Sequence, residues 1–441
     1  MTQPALGGLL LCAVGLITQA VAAPLDVKAA LQRTDAVLAS RQSALLALYE
    51  DLHAHPELAF AEHRTAALLA AQMRAAGFEV TEGVGGTGVV AVLRNGAGPR
   101  VMVRTELDGL PMQEESDLPY ASRTRTQYNG SETFTAHACA HDIHMSVWVG
   151  TAQAMAAQRR HWRGTLVFIA QPAEERVAGA KAMLADGLFE RFGKPDYGFA
   201  LHAMPAAHDE VLWRSGAMTS NGSALTVRFI GRGGHGSDPS TTIDPVLMAS
   251  RFVVDLQSVV SREKDPAAFG VVSIGAIQGG SAGNIIPDQV QVRGTVRSQS
   301  DEVHEKLQQG VLRTANAVAA MAGAPPPQVS FSVGTRSVMN DEALTARTST
   351  LFAQAFGAKS VQLPAAWSAG EDYTEFQAAG VPSFFFGLGI YDPARVAAAR
   401  AGGAPVPANH SPQFIPVALP ALQTGVRAMT LAVLGVTGAG R

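Results

Sequence analysis

Apolar residues recur three and four positions apart through "RQSALLALYEDLHAHPEL" (41–58) and "HRTAALLAAQMRAAGF" (63–78). That spacing predicts two helices, each with one buried face. Gly77 stands where a helix C-terminus takes glycine. "GVVAVLR" and "RVMVRTEL" then read as strands, with "NGAGP" as the turn between them. Beyond them the period keeps switching. "HMSVWVGTAQAMAAQ" is helical, "GTLVFIAQ" is a buried strand, "GAKAMLADGLFERF" is one helix and "YGFALHAM" is a strand. Alternating strands and helices predict an α/β sheet with helices on both faces.

Near Gly216 the pattern changes. "SALTVRFIG", "GVVSIGAIQGG", "DQVQVRGTVRS" and "QVSFSVG" are strands, with helices in "DPVLMASRFVVDLQSVV" and "DEVHEKLQQGVLRTANAVAAM". The order β-α-β-β-α-β is the ferredoxin-like arrangement. A further helix ("DEALTARTSTLFAQAF"), a strand ("PSFFFGLG") and a helix after Pro416 are too little to fold alone. They are expected to return to the first sheet. The ferredoxin-like segment, 217–335, is then an insertion between 24–216 and 336–441. "AAARAGGAPVPA" (397–408) reads as a solvated loop.

The first residues change the compartment. An uncharged apolar run from Ala5 to Ala22 ends in Ala20-Val21-Ala22, ahead of Pro24. This has the shape of a secretory leader, 1–23, although its start lacks Lys or Arg. An uncleaved anchor is the alternative, with the run at the short end for a span. Leu11 before Cys12 argues against lipidation at that cysteine. Leader removal takes Cys12 with it and leaves Cys139 as the last of 2 cysteines, so no internal disulfide can form. The expected location is periplasmic or secreted, and a lone thiol there needs burial or a ligand role. Charged residues are 16% of the chain and the net charge is −3, with no basic run suited to nucleic acid. No later apolar stretch looks long and uncharged enough to span a membrane, so no stable anchor is expected.

Cys139 lies in "TAHACAHDIH", the densest histidine cluster of the chain. Glu174 and Glu175 directly follow a buried strand, where ligand crevices of α/β sheets lie. Alone they read equally well as a dipole-favoured helix start. His202 repeats the strand-end placement, and His410 sits in the polar loop "ANHSPQF". Each histidine by itself is uninformative. Together Cys139, His141, Glu175, His202 and His410 supply a thiolate, imidazoles and a carboxylate, a donor set suited to Zn and also to Mn, Co or Ni. His137, His144 and Asp142 remain to orient the ligand rings. Of two adjacent glutamates, one can hold metal while the other takes a proton from activated water.

The motifs "HPELAFAEHRTA", "GVGGTGVVAVL", "RTELDGLPMQE", "HACAHDIH", "QPAEE", "GAKAMLADGLF", "GRGGHGSDP", "GNIIPDQVQVRGTVRS", "GEDYTEF" and "NHSPQF" stand in one order. In that order the chain resembles the amidohydrolase branch of the aminoacylase/carboxypeptidase metallopeptidase family. The branch includes hippurate hydrolases, N-acyl-amino-acid amidohydrolases and plant indole-acetyl-amino-acid hydrolases. The likeness spans nearly all of the chain after the leader. It implies a mixed-sheet metallohydrolase domain with an inserted ferredoxin-like lid that also makes a homodimer. It also implies two divalent metal ions, held by Cys139, His141, Glu175, His202 and His410, with the thiolate between them. Glu174 matches the general base, and Asp108 an acidic position behind the metals. His235 matches a lid histidine that polarises the scissile carbonyl. Asn284 and Arg297 match positions suited to the substrate carboxylate. Glu371 and Asp372 match an acidic pair near the site.

Three departures stand out. Ala140 replaces a glycine between two ligands, Glu106 replaces an aspartate, and "RTRTQYNGSETFT" (123–135) is longer than in short relatives and is expected to rim the pocket. The expected activity is metal-dependent hydrolysis of the amide of N-acyl amino acids, aromatic acyl groups included. The rivals are a carboxypeptidase or dipeptidase on short peptides, an exported solute-binding protein, and a metal-held structural dimer.

Overall fold

The structure is a computed structural model that describes residues 25–332 and 334–438. The expected leader, 1–23, and Cys12 lie outside the described residues. In chain order, helices α1 (Val27–Ala54) and α2 (His63–Ala75) precede strands β1 (Glu79–Val84), β2 (Gly88–Asn95) and β3 (Arg100–Glu106). A hairpin follows, β4 (Arg125–Tyr128) and β5 (Ser131–Phe134), then α3 (His141–Ala157) and β6 (Gly164–Gln171). Next come α4 (Gly179–Ala185), α5 (Leu188–Phe192), β7 (Tyr197–Ala207), β8 (Val211–Trp213) and β9 (Gly216–Ala217). The middle of the chain holds β10 (Asn221–Ile230), β11 (Gly234–His235), α6 (Pro245–Asp255), β12 (Gly270–Gln278), β13 (Ile285–Ile286), β14 (Gln289–Ser298), α7 (Asp301–Met321) and β15 (Gln328–Phe331). It closes with β16 (Met339–Asn340), α8 (Glu342–Phe356), β17 (Ser360–Gln362), α9 (Thr374–Ala378), β18 (Ser383–Tyr391), α10 (Pro393–Arg400) and α11 (Ala418–Thr437).

The main sheet is mixed and 8-stranded, in the order β1-β2-β6-β3-β7-β18-β8-β17. Its centre is parallel: β6 with β3, β3 with β7, and β7 with β18. Parallel strands are covered on both faces. One face packs on α1, α3 and α11, through Tyr49, Leu52, Trp148, Phe168, Val426 and Leu431. The other packs on α4, α5 and α9, through Met183, Leu188 and Phe376. The fold is thus the expected mixed α/β sheet with helices on both faces. Helices α3 and α11 approach closely because glycines face each other's neighbours. A Cβ on Gly150 would stand 2.6 Å from Val426 Cγ2, and one on Gly425 2.6 Å from Val147 Cγ2.

The second sheet is antiparallel, in the order β12-β14-β10-β15. Strands β10, β12, β14 and β15 with α6 and α7 follow the β-α-β-β-α-β order. They enclose their own core of Leu225, Phe229, Phe252, Val292, Leu307 and Val311. Strands β17 and β18, after this segment, join the main sheet.

Several expectations are corrected. Helix α1 starts at Val27, capped by Asp26, whose carboxylate accepts from the Ala29 N–H at 2.9 Å. Its first half buries only Val27, Ala30, Thr34 and Leu38, a sparse stripe that is hard to see in sequence. "GAKAMLADGLFERF" is two helices, parted at Gly187 with φ 79°. Strand β7 runs to Ala207, so His202 lies inside it rather than at its end. Residues 397–400 are helical, in α10, whose start Asp392 caps. Helix α11 is long and apolar enough by composition to cross a membrane, with 67% of its apolar window buried within the protein. It is here a core helix.

Candidate metal centre

The exits of neighbouring strands β3 and β6 bring Asp108 to Glu174 and Glu175. Oδ1 of Asp108 accepts from the Glu174 N–H at 3.2 Å, and Oδ2 from the Glu175 N–H at 3.0 Å. The Asp108 main-chain carbonyl accepts from His141 Nδ1 at 2.7 Å. A carbonyl can only accept, so Nδ1 carries the hydrogen and Nε2 is the nitrogen left to face a cation. That Nε2 is buried with no hydrogen-bond partner. It lies 3.7 Å from Glu174 Oε2 and 3.9 Å from Glu175 Oε1. Oε1 of Glu175 is likewise buried and unpartnered.

Cys139 is buried and free. Its Sγ lies 3.4 Å from Nε2 of His202. Nδ1 of His202 donates to the Ala203 carbonyl at 2.9 Å, which again leaves Nε2 as the lone pair. Between the two cysteine-side donors, Ala140 caps α3 in the left-handed region, φ 61° and ψ 33°. An alanine there costs about 1–2 kcal/mol relative to the right-handed conformation, a strain glycine avoids. The departure from glycine therefore loads the backbone between two candidate ligands. His410 is also left-handed, φ 66°, held by its N–H to the Ala138 carbonyl at 2.8 Å. Its Nε2 lies 3.4 Å from Glu175 Oε2.

The donor atoms of Cys139, His141 and His202 lie within 4.8 Å of one another, as do those of Cys139, Glu175 and His410, and those of His141, Glu174 and Glu175. Bare imidazole nitrogens, an unpartnered carboxylate oxygen and a buried thiol fit a divalent cation. The five predicted ligands and Glu174 are thus brought together. Burial, followed by the charges of Glu371 and Glu175, pushes the Glu174 carboxyl well above the usual range. Burial works the same way on Glu175, but His410 and His141 outweigh it and hold that carboxyl low. Burial, then Glu175 and Glu174, push the Cys139 thiol well up. A cation is the countercharge that makes such a thiol a thiolate.

Two other carboxylate groupings near the site are committed elsewhere. His144 donates from Nδ1 to Glu106 at 2.9 Å and accepts at Nε2 from the Ala203 N–H at 2.8 Å, so neither nitrogen is free. It fixes the strand backbone next to His202. Glu371 and Asp372 surround the buried Arg104 guanidinium at 2.8 and 3.3 Å, and Glu106 pairs with the same group. Asp372 also accepts from Gln171 at 2.6 Å and from the Ala180 N–H at 3.1 Å. This acidic pair braces the sheet beneath Glu174.

His137 and Asp142 do not orient a ligand ring. Both His137 nitrogens are buried without a hydrogen-bond partner, and burial lowers its pKa to about 4. Asp142 instead meets His53 Nδ1 at 2.6 Å, while His53 Nε2 lies 3.2 Å from Glu114. That buried cluster ties the start of α3 to α1. His235, Asn284 and Arg297 lie on the second sheet and its loops. Among the described residues no hydrogen bond, ion pair or ring contact joins them to the cluster. His235 and Asn284 adjoin, since Gly236 N–H donates to the Asn284 carbonyl at 2.8 Å, and the Arg297 side chain packs over Gly222.

Sequence reasoning missed three supports. Glu62 is fully buried and accepts from the Ala173 N–H at 2.8 Å and from Thr87 Oγ1 at 2.5 Å. Asn409 donates to the Ala203 carbonyl at 3.1 Å and points to Cys139 Sγ at 3.9 Å. Trp367 sets its ring edge-on to His202, centroids 4.6 Å apart. Asn409, beside His410 in "NHSPQF", and Glu62, within "HPELAFAEHRTA", sat in quoted motifs, whereas Trp367 carried no local signal.

Comparison with known proteins agrees with the geometry. Residues 102–430 match the profile of the Peptidase family M20/M25/M40. The chain is 37% identical to a hippurate hydrolase of Campylobacter jejuni over 313 residues, 70% of this chain and 79% of the relative. It is 33% identical to an N-acetylcysteine deacetylase of Bacillus subtilis over 354 residues, 78% and 88% of the two chains. A Bacillus subtilis crystal structure described as a dinuclear metal-binding peptidase of the M20 family superposes with TM-score 0.73 at 27% identity, covering 90% of this chain and 99% of that one. The chain belongs to the Peptidase family M20/M25/M40, and it is a hydrolase of the amidohydrolase and metallopeptidase kind.

Proposed function

We propose that the protein hydrolyses the amide between an acyl group, aromatic acyl groups included, and the amino group of an amino acid. The observation that carries this is the convergence of uncommitted donor atoms on Glu174, with His141 Nε2 at 3.7 Å from its carboxylate. The relatives' names, hippurate hydrolase and N-acetylcysteine deacetylase, support an N-acyl amino acid as substrate. Cys139, His141, Glu175, His202 and His410 would hold the proposed two divalent ions, zinc, manganese, cobalt or nickel. When bound, such ions make water acidic and polarise the amide carbonyl.

The chain's own residues do the rest. Glu174 takes the proton of the attacking water and gives it to the leaving amine. Asp108 holds the Glu174–Glu175 turn and the His141 ring in place. His235 accepts at Nδ1 from the Ser237 N–H at 3.1 Å, so its exposed Nε2 carries the hydrogen and is a donor for the carbonyl oxygen. Asn284 and Arg297 take the substrate carboxylate. Residues 217–335 act as a lid that closes over the site and pairs two copies of the chain, and closure excludes water. Residues 1–23 direct export to the periplasm or medium.

The test is amino-acid release from N-acyl amino acids and dipeptides by purified protein loaded with Zn, Mn or Co. Release from N-acyl substrates supports the proposal. Release from dipeptides alone reassigns the protein as a dipeptidase. Silence across the panel with metal bound overturns hydrolysis of either class.

A further inference from the structure

A cavity of about 370 Å³ opens beside Glu175, with Leu58, Ala59, Leu110, Pro111, Tyr128 and Arg176 among its walls. We propose that it seats the acyl group of the substrate, and that the β4–β5 hairpin, through Tyr128, selects aromatic acyl groups over acetyl. This rests on the function proposed above and names its acyl class.

The cavity is continuous with the reacting centre. Glu175 is itself in the wall, and Gly109, Leu110 and Pro111 directly follow Asp108. A substrate whose carbonyl lies by Glu174 and Glu175 therefore sends one side of its amide into this space. Leu58, Leu110 and Pro111 offer nothing to a carboxylate, although Arg176 also lines the space. Those walls suit the acyl side. The volume falls within the range of small-molecule pockets and far exceeds the needs of a methyl group. Tyr128 and the flat Arg176 guanidinium are partners that an aromatic ring stacks on and a methyl does not.

The walls are pre-formed. Glu62 ties the 58–62 segment to Ala173, next to Glu174, at 2.8 Å. Phe60 in that segment is held at φ 63°, a strained conformation for an aromatic residue. Leu110 and Ala136 exchange backbone hydrogen bonds of 2.9 and 3.0 Å, which join the cavity floor to the hairpin's base. The hairpin turns at Asn129 and Gly130, both left-handed with φ 50° and 80°, the type I′ geometry that fits strand twist. Arg125 braces it, 2.9 Å from Glu132 and 4.5 Å from the Phe134 ring. Tyr128 adjoins this turn, which fixes its position along the ribbon.

The experiment compares kcat/KM for N-benzoylglycine and N-acetylglycine in metal-loaded wild type, Tyr128→Ala, Tyr128→Phe and Arg176→Ala. Wild type is expected to favour benzoyl. Tyr128→Ala should lose about fivefold on benzoyl, the scale of one aromatic contact, and change acetyl less than about twofold. Tyr128→Phe should keep the wild-type ratio. Equal losses on both substrates, or no change on either, overturn the assignment. So does a rise in KM for both substrates in Arg176→Ala with Tyr128→Ala silent, which would make the cavity the carboxylate's seat. A wild type that releases amino acid from neither these nor any other N-acyl substrate overturns the function proposed above, and this inference with it.

Discussion

The buried cluster of His53, Asp142 and Glu114 makes stability depend on pH in a calculable way. Burial disfavours the His53 cation, but hydrogen bonds and charges from Asp142 and Glu114 outweigh it and raise its pKa from 6.5 to about 10. In the unfolded chain the ring titrates near its ordinary value. Between about pH 6.5 and pH 10 the folded protein keeps a proton that the unfolded chain has lost. Stability from this group is thus complete below pH 6.5 and is lost as pH rises through 10. At about 1.4 kcal/mol per pH step, the loss across that window is up to about 5 kcal/mol. The carboxylates act in the opposite range: Asp142 and Glu114 are held below their usual values against burial, chiefly by His53, so their contribution falls away in acid. The assay is urea unfolding of wild type and His53→Gln at pH 6.5, 8 and 9.5. Wild type should be the more stable at pH 6.5, and the gap should shrink steadily toward pH 9.5. Parallel pH profiles for the two proteins would refute the assignment of a buried, charged His53.

Three further outcomes follow from the packing and the site. Cys139→Ala should lose bound divalent metal by elemental analysis after dialysis, and unchanged metal content would remove the thiol from the ligand set. Asp108→Ala removes the carboxylate that accepts from the Glu174 and Glu175 N–H groups but leaves the main-chain carbonyl on His141, and should weaken metal binding about 10–100-fold in a competitive chelator titration. Wild-type affinity would show that those hydrogen bonds are dispensable. Gly150→Val drives a side chain into Val426, within 2.6 Å of its Cγ2 at the first carbon, and should cost at least about 2 kcal/mol in urea unfolding. A neutral result would mean that α3 and α11 can part without loss.

The centre was legible because its donors are rare residues in short, ordered motifs. Cys139 and His141 share one turn, Glu174 and Glu175 leave one strand, and His410 sits in a distinctive loop. The alternation of periods likewise revealed the α/β sheet, and the four strands and two helices of the middle segment revealed its β-α-β-β-α-β order. What escaped depends on distant partners. Glu62 looks like an acid at a helix start, and only the fold carries Ala173 and Thr87 to it. Asp142 looked like a ligand support because His141 precedes it in sequence, yet its ring partner, His53, is 89 residues away. The left-handed Ala140 is invisible in an alanine's identity, since alanine rarely takes that conformation. The break at Gly187 was written in a glycine that also suits a helix packed closely on a neighbour. Asn129-Gly130 is a hairpin-turn dipeptide that went unread within 123–135, and its place against the cavity wall depends on the Leu110–Ala136 pairing.

The most direct test of the proposed chemistry is the kcat of metal-loaded Glu174→Gln on an N-acyl amino acid that the wild type cleaves, with metal content measured on the same samples. Glutamine keeps the shape of the side chain and removes the proton acceptor. Full metal content and a kcat at least about a hundredfold lower are expected. Turnover near the wild-type rate, with metal bound, would contradict it.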